Sequence, residues 1–125
     1  MNIPNNLKYT KEHEWVKIDG DTLIVGITDY AQSELGDIIF VELPFQEDKF
    51  DESASFGTVE AVKTVSDLYM PITGTILEAN KILEDKPELI NAEPYNEGWI
   101  IKIKADNIND VESLLDSMQY KEVIS

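Results

Sequence analysis

The chain has 125 residues and sets 25 acidic side chains against 10 basic ones, a formal net charge of −15. All ten basic residues are lysine, so the guanidinium fork that reads phosphate is missing, and nucleic-acid binding is excluded. Cysteine is absent and His13 is the single histidine, which removes disulfides, thiolate chemistry and Cys- or His-rich metal sites and leaves no nucleophile and base to pair.

In chain order, "MNIPNNLKYT" has neither the basic and apolar regions of a secretion signal nor the Arg-rich bias of a transit peptide, and no later apolar run reaches membrane-spanning length. A cytoplasmic protein without membrane association is expected. "HEWVKI" and "TLIVGI" flank "DGD", whose Asp19-Gly20 pair signals a hairpin. His13, beside Trp15, reads as a surface or packing residue. In "TDYAQSELG" a short helix is expected, with Thr28 as N-cap, Asp29 in the first turn and Gly36 in the left-handed C-terminal position.

Five further strands follow: "DIIFVEL", "SFGTVEAV", "SDLYMP", "GTILEAN" and "GWIIKIKA". Between the last two, "EDKPELINAEP" suggests a helical turn opened by Pro87 and closed before Pro94. The closing segment "NINDVESLLDSMQY" puts Val111, Leu114, Leu115 and Met118 on one helical face, with Asn107 or Asn109 as cap and Asp110 and Glu112 near the positive end of the dipole. These elements describe a mainly β protein, a sandwich or barrel with short peripheral helices including a C-terminal one. A chain of this length forms one domain, 1–125, that buries about two-thirds of its unfolded surface. The acidic surface favours encounters with basic patches on other proteins.

The stretch "GTVEAVKTVSDLYMPITG" places Lys63 where strict alternation would set it beside Val59 and Ala61 on an apolar face. A turn at Val62, Lys63 and Thr64 removes that conflict and lifts the lysine to a hairpin tip. There it is either a solvated structural lysine or an amine displayed for modification; periodicity alone does not separate the two. No phosphate-binding loop, HExxH pattern or nucleophile elbow competes with it.

The signatures "HEWV", "GITDYAQ", "VELP" and "VEAVK...SD", in this order, resemble those of the H proteins of the glycine cleavage system. The similarity runs from "LKYTKEHEWVKIDGDTLIVGITDYAQSELGDIIFVELP" to "ELINAEPYNEGWIIKIK". It implies a lipoyl-type barrel-sandwich hybrid of two small antiparallel sheets, with lipoic acid attached covalently to Lys63 at a hairpin tip. It also implies a non-catalytic, monomeric shuttle. Glycine decarboxylase (P protein) would load an aminomethyl group on the lipoyl arm, aminomethyltransferase (T protein) would pass the methylene to tetrahydrofolate, and dihydrolipoamide dehydrogenase (L protein) would reoxidise the dithiol. A lipoate ligase or lipoyl/octanoyl transferase would install the arm.

Glu14 and Asp67 match family positions whose carboxylates would hold the cationic amine of the loaded arm. Two neighbours depart from the pattern: Glu12 stands where a small hydroxyl residue is frequent, and Glu34 where a histidine is frequent. Biotin carriers place Met on both sides of their lysine, where this chain has Val62 and Thr64, and dehydrogenase lipoyl domains place Asp before and Ala after it. A lipoyl-relay donor to 2-oxoacid dehydrogenases, or an unmodified interaction protein that keeps the fold, are the alternatives that the sequence leaves open.

Overall fold

Seven of the nine strands are those expected from the sequence. The computed structural model, which describes residues 1–125, contains β1 (Lys8–Tyr9), β2 (Glu14–Asp19), β3 (Thr22–Ile27), β4 (Ile38–Glu42), β5 (Lys49–Phe50), β6 (Ser55–Ala61), β7 (Val65–Tyr69), β8 (Gly74–Ala79) and β9 (Ile101–Ala105). The helices are α1 (Asp29–Leu35), α2 (Ile82–Asp85), α3 (Leu89–Ala92) and α4 (Ser117–Ile124), with a 3₁₀ turn at Ile108–Ser113. Strands β1 and β5, two residues each, are too short for alternation to reveal.

All strand pairs are antiparallel, in a six-stranded sheet ordered β1-β2-β3-β9-β8-β5 and a three-stranded sheet ordered β4-β6-β7. The alternating sets Leu23, Val25, Ile27 of β3 and Ile101, Ile103 of β9 meet Val41, Val59 and Leu68 of the smaller sheet in one core. Burying each such side chain contributes about 1.5–3 kcal/mol. A second cluster, Leu7, Tyr9, Trp15 and Tyr120, lies apart from this core. Trp15 is paired across the strands with Gly26, where a Cβ would come within 2.7 Å of the indole. Only a residue without a side chain lets this ring lie flat on the sheet.

The structure corrects several expectations. In the β2-β3 hairpin Asp19 pairs with Thr22, so the loop residues are Gly20 and Asp21, with the positive φ of +62° at Gly20. Thr28 does cap α1, accepting from Ala31 N at 3.2 Å, but Gly36 has φ +81° and ψ −159°, a positive φ outside the left-handed helical well. The C-terminal segment is not one helix. Asn107 caps a 3₁₀ turn that stops at an extended Leu114, where Leu115 exchanges backbone hydrogen bonds of 2.8 Å with Tyr9. Asp116 then opens α4 through a capping box with Gln119, and Met118, expected on the packed face, is 73% exposed. Pairing with β1 outweighs the continuous apolar stripe. The turn after Pro87 forms as α3, while α2 has no capping side chain to announce it.

Candidate functional site

Strands β6 and β7 pair from Ser55↔Tyr69 to Glu60↔Val65, and the hairpin then closes with Ala61 N donating to Thr64 O at 2.8 Å. Val62, Lys63 and Thr64 are exposed at its tip. Val62 N donates to Asp37 O at 3.2 Å, fixing the tip against the residue that follows α1 and Gly36. Asn91 of α3 braces the same corner, donating to Gln32 Oε1 and Gly36 O and accepting from Ile38 N. A Cβ on Gly36 would sit 4.0 Å from Lys63 Cε, so the lysine stem passes the end of α1. Neither of the two ion pairs, Lys49–Asp106 and Lys102–Glu78, involves Lys63.

Beside the hairpin lies a cleft of about 240 Å³, walled by α1, the start of β2 and the arms of β6 and β7. Its apolar lining comes from Ile27, Ala31, Leu35, Val59 and Leu68; its polar lining includes Glu12, His13, Glu14, Glu34, Ser66 and Asp67. Glu14 and Asp67 thus share one cavity, in unlike environments. Glu14 points to the same side of β2 as the core residue Val16 and is 2% exposed. Its Oε1 accepts from Thr10 Oγ1 at 2.7 Å and its Oε2 from Tyr69 N at 3.3 Å. Burial pushes its carboxyl up to about 8 against the opposing pull of these two hydrogen bonds, with the nearby Glu12 carboxylate adding to the rise. Asp67 is exposed; its carboxylate accepts a long, 3.4 Å bond from Ser55 Oγ, and its backbone carbonyl another of 3.4 Å from Ser66 Oγ.

His13 has a left-handed φ of +72°. Its Nδ1 lies 2.8 Å from Tyr120 Oη, which is 2.7 Å from Thr28 Oγ1, so one polar chain ties α4 to the cap of α1. Burial lowers the imidazole's pKa, against the pull of Glu12 and Glu34. His13 packs against the rings of Tyr30 and Tyr120, at centroid distances of 5.0 and 5.8 Å, in keeping with its reading as a surface or packing residue, and it also forms part of the cleft wall. Sequence reasoning missed Thr10. Its hydroxyl accepts from Glu12 N and Glu14 N while donating to the Glu14 carboxyl, and a Thr four residues before a buried Glu, across a tight turn, is the signal that would have found it. The departures at Glu12 and Glu34 both fall on the cleft lining.

Residues 7–125 match the family model described as "Glycine cleavage H-protein". The chain belongs to the glycine cleavage H-protein family. It is 56% identical to the glycine cleavage system H protein of Staphylococcus carnosus over 99% of this chain and 98% of that protein. Identity to the H protein of Bacteroides fragilis is 51%, over 100% of this chain and 99% of that one. The crystal structure of the H protein from Mycobacterium marinum superposes with a TM-score of 0.88 at 38% identity, covering 96% of this chain and 97% of that one. The mainly β, two-sheet architecture with a C-terminal helix is thus the H-protein fold. Membership makes the chain a non-catalytic lipoyl-carrier component of the glycine cleavage system. No helix is long and apolar enough to cross a membrane.

Proposed function

We propose that residues 1–125 act as a single carrier domain, lipoylated on Lys63, that serves the P, T and L proteins of glycine cleavage in the cytoplasm as a monomer. The observation that carries this reading is the position of Lys63: an exposed amine outside both ion pairs, at the tip of a braced hairpin whose arms wall a cleft. The residues present fit a lipoyl group. The ε-amine is open to acylation, while Ile27, Leu35, Val59 and Leu68 offer an aliphatic chain an apolar wall.

When bound, the dithiolane supplies the redox and group-carrying sulfur that this cysteine-free chain lacks. The chain's own residues do the rest. The hairpin displays the attachment point on a rigid mount, and the tether keeps the cargo end at high local concentration beside each docked partner. The apolar wall excludes water from an arm laid along it. Glu14 and Asp67 hold a basic group at the polar end of the cleft, the buried carboxyl through a short hydrogen bond and the exposed one through screened attraction.

The test is mass spectrometry of the protein from lipoate-replete cells, with the adduct mapped to a residue. A lipoyl mass on Lys63 is expected; an adduct elsewhere, or none, would overturn the reading.

A further inference from the structure

The outer face of the three-stranded sheet carries a feature that the carrier chemistry does not use. Ile39 and Phe40 of β4 are 51% and 52% exposed, Val65 of β7 is 60% exposed, and Val62 at the tip is 75% exposed. The register places Phe40 opposite Glu60 and Glu60 opposite Val65. Phe40 and Val65 therefore lie two strand spacings apart, about 10 Å, with Lys63 just beyond Val65. An irregularity between Ile38 and Phe40 turns two consecutive apolar residues outward on an edge strand. Single exposed apolar residues need no explanation, but four gathered beside one free amine form a patch. Its charged residues are acidic: the half-buried Glu60 lies between Phe40 and Val65, Asp37, Glu42 and Asp67 are exposed around them, and Lys63 is the only basic residue among positions 37–42 and 58–69.

We propose that this face, centred on Phe40 and Val65, is gripped by the enzyme that acylates Lys63, through an apolar surface edged with lysine or arginine. The inference rests on Lys63 being the acylated residue. It commits to that enzyme for a geometric reason. An acylating active site must reach Nζ itself, one lysine side chain from the tip, so its walls close over the residues that surround the hairpin. A partner that works on the far end of an attached arm meets its target an arm's length away and has no such constraint. Charge complementarity selects the partner's sign, because a basic surface faces four carboxylates, Asp37, Glu42, Glu60 and Asp67, while an acidic one would be repelled.

The test uses the unmodified chain, a purified lipoate ligase, lipoate and ATP, and reads the initial rate of lipoyl mass gain on Lys63. Phe40→Thr and Val65→Thr keep β-forming side chains on exposed positions; each is expected to lower kcat/KM about tenfold, through KM, as loss of an interface anchor does. Glu42→Lys, which removes no apolar surface, is expected to slow acylation several-fold at low salt and little at high salt. Met118→Ser, equally exposed but on α4, is expected to react like the unsubstituted chain. Unchanged rates for Phe40→Thr, Val65→Thr and Glu42→Lys, or an equal loss for Met118→Ser, would overturn the proposal while leaving Lys63 as the carrier residue. Acylation of the unsubstituted chain at another lysine would instead overturn the carrier reading itself.

Discussion

Replacing Glu14 with Gln should change how stability depends on pH, and the size of the change follows from where the carboxyl sits. Its pKa rises from an ordinary 4.5 to about 8, a difference that corresponds to roughly 5 kcal/mol between folded and unfolded chains. The sign follows from proton counts. Below about pH 4.5 the carboxyl is protonated in both states and costs nothing. Between the two values the folded chain keeps a proton that the unfolded chain has released, so stability falls as pH rises, and above about 8 the whole penalty is present. Glu12, Glu34 and Asp67 on the same cleft keep the surrounding field negative, while the Thr10 hydroxyl and Tyr69 N–H limit the rise.

The amide of the Glu14→Gln variant has nothing to ionise. Urea unfolding at intervals between about pH 5 and pH 9 should therefore show the chain losing several kcal/mol relative to Glu14→Gln across that range. The lowered pKa of His13 acts on the acid side and is shared by both proteins, so it cancels in the difference. A carboxyl carbon titration by NMR should place the Glu14 midpoint near 8, and Thr10→Val, by removing the 2.7 Å donor, should move it higher. Parallel stability curves for the two proteins, or an NMR midpoint near the ordinary carboxylate value, would refute the reasoning.

Lys63→Arg should fold with stability within roughly 0.5 kcal/mol of the original, since the site is exposed; intact mass should show no lipoyl adduct, and no glycine decarboxylation should be supported with the partner enzymes. For the isolated aminomethyl-loaded carrier without T protein, Glu14→Ala should release ammonia and formaldehyde several-fold faster than the original. Asp67→Ala should have a smaller, salt-sensitive effect, because an exposed pair is worth only about 0.2–1 kcal/mol; equal decay in all three would make both acids ordinary surface charge. Gly26→Ala should cost about 1–3 kcal/mol by overpacking, seen as a lower urea midpoint and a changed near-UV signal, because its Cβ would meet the Trp15 ring at 2.7 Å and strain the 2.9 Å bond from Trp15 Nε1 to Pro94 O.

The parts of the fold legible in the sequence were those governed by local rules. Alternation and turn residues located seven strands, Thr28 announced α1, and the conflict between period and polarity at Lys63 located a hairpin tip. The failures had nonlocal causes. Leu115 follows Tyr9 into strand pairing across the whole chain, which no stripe on a helical wheel registers. The environment of Glu14 was partly within reach, because "HEWVKI" puts Glu14 in phase with Val16 and hence toward the core. That the carboxyl would be desolvated depended on β7 arriving from 55 residues away to close over it, with Tyr69 N as donor. The outward Ile39 and Phe40 were hidden because "DIIFVEL" reads as a uniformly apolar strand, and only the irregular pairing with β6 shows which residues the core leaves out.

On the proposed reading, two of the four acids of the cleft, Glu14 and Asp67, divide the work that the carrier role requires, and the magnitudes explain why neither would suffice alone. A carrier must hold its cargo well enough to slow its loss to water and loosely enough to surrender it. Asp67, exposed, attracts a cation at some distance, but solvent and salt reduce that attraction to a fraction of a kcal/mol. Glu14, with its carboxyl pushed up to about 8, is mostly neutral at neutral pH, so an empty cleft does not carry a buried charge beside the exposed Glu12 and Glu34. When an ammonium group enters, Glu14 must give up its proton, at a cost of about 1.4 kcal/mol one pH unit below its midpoint. A charge-assisted hydrogen bond then returns about 1.5–3 kcal/mol. The balance is a small net hold, of the same order as the several-fold slowing of decay expected above. A carboxylate permanently ionised at this depth would grip a cation harder, but it would destabilise the empty carrier and oppose transfer to the next enzyme.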